Sequence, residues 1–109
     1  MNLNQLTYFV TLAQIENYTR AAKRLDITQP SLSHAISNLE KELQVPLFER
    51  HGRNVTMTKY GEMFLKYVQD SLHILNLGVE RIQEAARIPG GSISIGYIHT
   101  QGRRFIPEL

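Results

Sequence analysis

Residues 19–43, TRAAKRLDITQPSLSHAISNLEKEL, constrain the fold of this chain more than any other stretch. A short helical pattern ends at Asp26 and Ile27, and a second one then opens with a capping threonine and a proline in its first turn. Steps of four, three and four separate the apolar residues of the second pattern, which places them on one helix face: Leu32, Ile36, Leu39 and Leu43. Two helices joined by so short a break are predicted to form a helix-turn-helix.

The opposite face of the second helix is polar, and in its first turns it is short and free of carboxylates. Such a face can enter the major groove of DNA, where acidic side chains would be repelled and bulky apolar ones would not fit. Between Asn17 and Leu39 the only acidic residue is Asp26. The predicted DNA contacts of this helix are Thr28, Gln29, Pro30, Ser31, Ser33, His34 and Ser37.

These candidate contacts differ in what they can recognise. The Gln29 amide combines a donor and an acceptor that can bond an adenine edge, although it could also be a solvated residue of the first turn. Ser31 and Ser33 can bond a phosphate or a base, or can simply be small enough to let the helix approach. Pro30 could touch a thymine methyl group. His34 is exposed by its helical phase, either as a DNA contact or as a surface residue.

A β-hairpin is predicted directly after the helix-turn-helix, from residues 47–58, LFERHGRNVTMT. An extended piece runs to Arg50, a turn covers residues 51–54, and the chain then returns. Gly52 and Asn54 are expected at the positive-φ positions that such a turn needs. A basic hairpin in this place is a wing.

The arginines that flank the turn of the wing, Arg50 and Arg53, are predicted DNA contacts, because arginine suits a narrow and electronegative groove. Arg50 could instead pair with Glu49 or with the helices of its own domain. The cations of the first helix of the motif form a solvated face, from which one member could touch phosphate: Arg20, Lys23 and Arg24.

The longest helical pattern covers residues 59–88 and is capped by Thr58. One apolar seam of the coiled-coil kind runs along it, and beside it lies a second stripe made of Tyr60, Met63, Tyr67, Ile74 and Leu77. One small domain cannot cover both stripes, so one is predicted to pack on its own domain and the other on a second copy. The predicted dimerisation residues are Phe64, Val68, Leu72, Leu75, Val79 and Ile82.

Composition excludes several classes of function. The chain has 109 residues, a formal net charge of +2 and no cysteine, so it has no disulfide framework, thiolate metal site or cysteine nucleophile. Its four histidines show no metal-ligand spacing, and no nucleophile–base constellation or phosphate-binding glycine loop is present. No apolar run near the start suits export or membrane insertion. We therefore predict a cytoplasmic protein that is not an enzyme and holds no metal or cofactor.

Three stretches resemble the N-terminal part of LysR-type transcriptional regulators in order, spacing and residue type. They are LTYFVTLA at residues 6–13, the segment YTRAAKRLDITQPSLSHAISNLEKELQVPLFER at residues 18–50, and GRNVTMTKYGEMFL at residues 52–65. The resemblance implies a mainly α winged helix-turn-helix fold with a β-hairpin wing and a long C-terminal dimerisation helix. It divides the chain into a DNA-binding domain at residues 1–58 and a linker helix at residues 59–88.

The function implied by this resemblance is control of transcription by a dimer that binds an interrupted inverted-repeat operator in double-stranded DNA, with each wing along the backbone or minor groove. A tetramer is implied for the full-length protein, and association with the nucleoid when DNA is bound. Residues 89–109 are similar to a hinge and the truncated start of an effector-binding α/β domain. A small-molecule effector would bind there, with Thr100 and Gln101 at the position where this family holds it.

Three positions depart from the family's pattern. Glycine is common near Glu16 and near Gln44, where ordinary residues are expected to be tolerated in exposed turns, and arginine is usual where His34 stands. A neutral imidazole makes one contact where arginine can make two, so the operator preference of the family does not transfer. The alternatives are a winged-helix module for protein–protein contact and the DNA-binding domain of a molybdate-type regulator, against which the tail from Gly91 argues.

Overall fold

The computed structural model describes residues 1–87, which form a mainly helical fold with one antiparallel β-hairpin. In chain order the elements are α1 (Leu3–Ile15), α2 (Tyr18–Leu25), α3 (Gln29–Leu43), β1 (Phe48–His51), β2 (Asn54–Met57) and α4 (Lys59–Ala86). The predicted order of helix-turn-helix, wing and long helix is confirmed. Met1–Val68 form one compact unit, and the helix residues after Val68 belong to a second. The predicted hinge and strand, with Thr100 and Gln101, lie outside the described residues.

The helices begin where the sequence places capping side chains. Asn2 accepts a hydrogen bond from the Gln5 backbone N–H over 2.8 Å while the Gln5 side chain accepts from the Asn2 N–H, and the two bonds form a capping box at the start of α1. Thr28 caps α3 through the Ser31 N–H at 3.2 Å. Asn17 caps α2 by accepting from the Arg20 N–H at 2.9 Å, so this helix begins at Tyr18.

The first three helices all end at a residue with left-handed backbone. Glu16 has a φ of 62°, Asp26 of 59° and Gln44 of 63°. Two of these are the positions where the sequence replaces an expected glycine, and both side chains are exposed as predicted. A side chain with a Cβ in this conformation costs roughly 1–2 kcal/mol, which glycine avoids. Tolerance at these positions therefore has a cost in stability.

Gln44→Gly should raise the free energy of unfolding by about 1 kcal/mol relative to Gln44→Ala, because both variants lose the same exposed side chain and only glycine loses the Cβ. Urea titration of the two variants at one protein concentration measures the difference. A glycine variant no more stable than the alanine variant would contradict the strain at this cap.

Three aromatic rings join α1, the wing and the start of α4. The Phe9 ring centroid lies 5.5 Å from that of Phe48 in an edge-to-face arrangement, and 5.5 Å from that of Phe64. The largest fully buried side chains of this core are Phe9, Leu12, Leu32, Ile36, Leu39, Leu47 and Val55. The predicted apolar stripe of α3 is thus its packing face, and the polar face opposite is left for solvent or a ligand.

The start of α4 is tied to the strand entry of the wing. Thr58 accepts from the Gly61 N–H at 3.1 Å and donates to the Pro46 carbonyl at 2.6 Å, while its own N–H bonds the Leu47 carbonyl at 3.0 Å. Gly61 is buried, and a Cβ built on it would overlap the Leu47 carbonyl oxygen. The close approach of helix and strand therefore requires glycine here.

The apolar seam of α4 divides between two environments. Phe64 packs on Phe9 and Val68 is buried within the same chain, so these two members of the predicted dimerisation set belong to the packing of their own domain. Leu72 and Val79 are half-buried, whereas Leu75 and Ile82 are exposed. The exposed part of the seam begins after Val68.

Candidate nucleic-acid interface

The polar face of α3 is exposed along its N-terminal half. Pro30, His34 and Ser37 are exposed and Ser33 is half-buried, and their spacing puts all four on the side opposite the buried stripe. Gln29 and Ser31 lie in the first turn on either side of this face, and Thr28 caps it. The helix geometry therefore brings the seven predicted contacts to the N-terminal part of α3, and four of them share the side opposite the buried stripe.

Two side-chain pairs order this face. The Thr28 hydroxyl donates to the Ser31 hydroxyl over 2.8 Å at the start of the helix. One turn further on, the Asn38 amide nitrogen lies 3.2 Å from Nε2 of His34. An amide nitrogen only donates, so this contact is a hydrogen bond when Nε2 of His34 carries no hydrogen.

The turn of the wing is tighter than predicted. His51 pairs with Asn54 in the antiparallel register, which leaves a two-residue turn of Gly52 and Arg53. Gly52 has a φ of 69°, as the first turn position of a type II′ hairpin requires. The prediction of a positive φ at Asn54 is wrong, because Asn54 is the first residue of β2. Arg53 is exposed at the tip of the hairpin.

The tip of the wing is bonded to the turn between α1 and α2. The Tyr18 N–H donates to the Arg53 carbonyl at 3.0 Å, and the Val55 N–H donates to the Glu16 carbonyl at 3.0 Å. The side chain of Asn17 adds a bond of 2.9 Å to that of Asn54. The wing is therefore held in one position relative to the helix-turn-helix, which hairpin periodicity alone did not predict.

The entry to the wing is bonded to α3 by a single carboxylate. One oxygen of Glu40 accepts from the Leu47 N–H at 2.7 Å and from the Phe48 N–H at 3.2 Å. Charge-assisted bonds of this kind are stronger than neutral ones. Glu40 therefore links α3 to β1, the strand that carries Arg50. No pattern in the sequence indicated this role.

Arg50 is engaged with the helices of its own domain rather than with Glu49. Its guanidinium carbon lies 4.2 Å from the centroid of the Tyr18 ring, and its Nη2 donates to the Ser33 hydroxyl over 2.9 Å. Tyr18 is the first residue of α2 and is 4% exposed. Burial raises the pKa of the Tyr18 hydroxyl, and the adjacent Arg50 cation opposes that rise. Tyr18 was not predicted from the sequence, because nothing local marks it as a partner of Arg50.

One face of α2 is positively charged. Arg20, Lys23 and Arg24 are all exposed. Within residues 1–87 the one ion pair joins the N-terminal ammonium to Glu42 at 2.7 Å, so no carboxylate neutralises these three cations in that part of the chain. A cluster of unpaired cations attracts polyanions such as DNA.

Residues 1–87 contain no group of three acidic, histidine or cysteine side chains that could hold a metal ion. In the same part of the chain, no helix combines the length and apolar character that crossing a membrane requires.

A helix-turn-helix with an exposed polar face on its second helix and a basic hairpin beside it defines the class of winged helix-turn-helix DNA-binding folds. Residues 3–62 match the family described as "Bacterial regulatory helix-turn-helix protein, lysR family". The chain belongs to this family, which confirms the resemblance seen in the sequence.

Several curated relatives align with the whole chain. It is 44% identical to "Uncharacterized HTH-type transcriptional regulator YybE" and 37% identical to "HTH-type transcriptional regulator AlsR", both from Bacillus subtilis (strain 168). The alignments cover 100% of this chain but only 37% and 36% of those two relatives, so the chain spans about a third of their length. It is 39% identical to "HTH-type transcriptional regulator BudR" of Klebsiella aerogenes and covers 75% of that protein.

Two of the similar solved structures are DNA-binding domains in complex with DNA. The structure "CbnR_DBD-DNA complex" has a TM-score of 0.76 and 36% identity, and the match covers 80% of this chain and 100% of that one. The structure "BenM_DBD/benA site 1 DNA Complex" has a TM-score of 0.75 and 38% identity, with coverage of 79% and 100%. At this identity the likeness extends from the fold to the family.

Proposed function

We propose that this chain is the DNA-binding part of a LysR-type transcriptional regulator and that it recognises an operator in double-stranded DNA. The observation that carries the proposal is the exposed polar face of α3 beside a wing that is fixed to the same domain. The recognition helix would lie in the major groove, and the wing would lie along the backbone or minor groove with Arg53 at its tip. The solved DNA complexes of related domains support this docking mode.

The operator would have two half-sites, because α4 presents an apolar surface that suits a second copy. The part of α4 after Val68 exposes Ile74, Leu75, Leu77 and Ile82, of which Ile82 is 67% exposed. A row of exposed large apolar side chains is typical of an interaction surface. A dimer through α4 would present two recognition helices and two wings to an interrupted inverted repeat.

The rival function, a winged-helix module for protein–protein contact, predicts exposed apolar residues on α3. Within residues 1–87, the exposed large apolar residues fall at the N-terminus and on α4, and none falls on α3. This distribution favours DNA as the ligand of α3. The match to the LysR family likewise favours that family over a molybdate-type regulator.

The remainder of the proposed regulator extends beyond the DNA-binding part. Residues 89–109 would be the hinge and first segment of an effector-binding domain, with Thr100 and Gln101 near the bound small molecule. The full-length protein would be a tetramer that works in the cytoplasm at the nucleoid. The coverage of about a third of YybE and AlsR supports a longer protein.

One experiment should distinguish base recognition by Gln29 from groove binding by Arg53. Gln29→Ala should cost about 1–3 kcal/mol on the operator and little on random duplex, because removing a base-specific hydrogen bond reduces discrimination rather than general attraction. Arg53→Ala should weaken both equally, and the slope of log K against log salt should fall by roughly one unit for each phosphate that the side chain neutralises in a half-site. Fluorescence anisotropy titrations at several fixed salt concentrations give both quantities.

The two variants serve as controls for each other, since one should change the ratio of specific to random binding and the other the salt slope. An unchanged ratio for Gln29→Ala would show that Gln29 only positions the helix. Unchanged affinity and slope for Arg53→Ala would remove the wing tip from the interface. A parent protein that selects no preferred sequence from random duplexes would contradict operator recognition itself.

A further inference from the structure

Arg50 connects three elements that the proposed function uses separately. It is carried by β1 of the wing, its guanidinium lies 4.2 Å from the Tyr18 ring centroid on α2, and its Nη2 reaches the Ser33 hydroxyl on α3 at 2.9 Å. The Tyr18 ring is held by its surroundings because it is 4% exposed, and its backbone is fixed to the wing by the bond from its N–H to the Arg53 carbonyl. A planar guanidinium stacked on a fixed ring has a fixed direction for its N–H groups.

This arrangement assigns a direction to the hydrogen bond between Arg50 and Ser33. Guanidinium has donors and no acceptor, whereas a serine hydroxyl has one hydrogen and two lone pairs. Oγ of Ser33 must therefore accept from Arg50, and the hydroxyl hydrogen points away from the guanidinium. An isolated serine could rotate to donate or to accept, but Ser33 beside Arg50 is polarised as a donor.

We propose that Arg50 is a positioning residue that makes Ser33 a hydrogen-bond donor to the DNA, so that the group facing Ser33 in the complex is an acceptor. The inference rests on the proposed operator binding. Acceptors within reach of such a helix are guanine N7 and O6, adenine N7, thymine O4 and phosphate oxygens. The amino groups of cytosine and adenine would meet a donor and a cation, and they are disfavoured. Arg50 then acts through Ser33 rather than only as a positive charge on the wing.

The test is a double-mutant cycle on an operator selected by the parent chain from random duplexes. Ser33→Ala, Arg50→Lys and the double variant are titrated against every single-base variant of one half-site at one salt concentration. Lysine keeps the charge, but its ammonium group is not planar, so it cannot stack on the Tyr18 ring or fix the direction of its N–H donors. Arg53→Lys makes the same chemical change at the tip of the same wing and is the matched control.

Ser33→Ala should weaken binding about three- to tenfold, and Arg50→Lys should cause the same loss at the same base positions. The double variant should lose no more than either single variant. Arg53→Lys changes a proposed groove contact, so it should shift the affinity for all single-base variants alike and leave the relative preference at those positions unchanged. The salt slope of Arg50→Lys should equal the parent's. Losses that multiply in the double variant, or an Arg50→Lys profile identical to the parent's, would overturn the proposal.

The two sources of the acceptor give different patterns. If the acceptor is a base edge, the loss of affinity shared by Ser33→Ala and Arg50→Lys is confined to one or two base positions. If the acceptor is a phosphate oxygen, the loss is the same for all bases. It then disappears when a methylphosphonate replaces that phosphate. If the parent chain binds no preferred sequence, that result contradicts operator recognition and not the role of Arg50 in orienting Ser33.

A second pair of variants leaves both Arg50 and Ser33 in place, which keeps the proposal testable if Arg50→Lys fails to fold. Tyr18→Phe retains the ring beneath the guanidinium and should behave as the parent, and Tyr18→Leu should reproduce the loss seen with Ser33→Ala. Equal profiles for the phenylalanine and leucine variants would overturn the role of the stacked ring. Thermal unfolding of each variant, followed by circular dichroism, shows which variants are folded at the temperature of the DNA titrations. Only those variants are compared.

Discussion

Glutamate in place of both Leu75 and Ile82 should convert the proposed dimer into a monomer and lower its affinity for a two-half-site operator by about 100- to 10,000-fold. These side chains are 42% and 67% exposed and lie two helical turns apart on the seam of α4. A carboxylate buried against an apolar partner without a counter-charge is strongly disfavoured. Sedimentation equilibrium at micromolar concentration and titration of the operator measure the two effects.

The matched control adds the same two charges to the polar face of the same helix, as Gln69→Glu with His73→Glu. Both positions are exposed and lie away from the seam, so this variant should remain dimeric. A duplex with one half-site separates assembly from DNA contact, because the monomeric variant should bind it about as well as one arm of the parent dimer. Dimers that persist after both seam substitutions would remove this surface from the assembly.

Gly61→Ala should lower the free energy of unfolding by about 3 kcal/mol, since overpacking against a fixed backbone has few ways to relax. The added Cβ would overlap the Leu47 carbonyl oxygen, which already accepts a hydrogen bond from the Thr58 N–H. Relief would require the start of α4 to move away from the entry of the wing. Urea denaturation at fixed protein concentration measures the loss.

Gly78 offers the control within the same helix. A Cβ built there meets no atom of its own chain within 4 Å. In the monomeric Leu75→Glu, Ile82→Glu background, where no second copy covers this face, Gly78→Ala should therefore stabilise the chain by about 0.5–1 kcal/mol through helix propensity. The two glycines of α4 should thus respond to one substitution with opposite signs. A Gly61→Ala variant as stable as the parent would show that helix and strand can separate without cost.

Local chemistry allowed most of the fold to be predicted from the sequence. The predicted caps Thr28 and Thr58 each bond a backbone N–H three positions further on, so residue types at short spacing were enough to place the starts of α3 and α4. The buried stripe of α3 followed from its 3.6-residue period, and its polar face followed as the remainder. That face carries most of the predicted DNA contacts, so the candidate site follows from the local sequence pattern alone.

Features that depend on contacts between distant residues were decided by the tertiary structure. The partner of Arg50 is 17 positions away on α3, and the bond from Asn17 to Asn54 spans 37 positions. Periodicity states which residues share a face, but it does not state which neighbour that face meets. The seam of α4 shows the same limit, since one repeat includes Val68, buried within its own domain, and Ile82, left exposed. Burial there depends on where the first domain ends, because side chains beyond it have no partner from that domain to pack against.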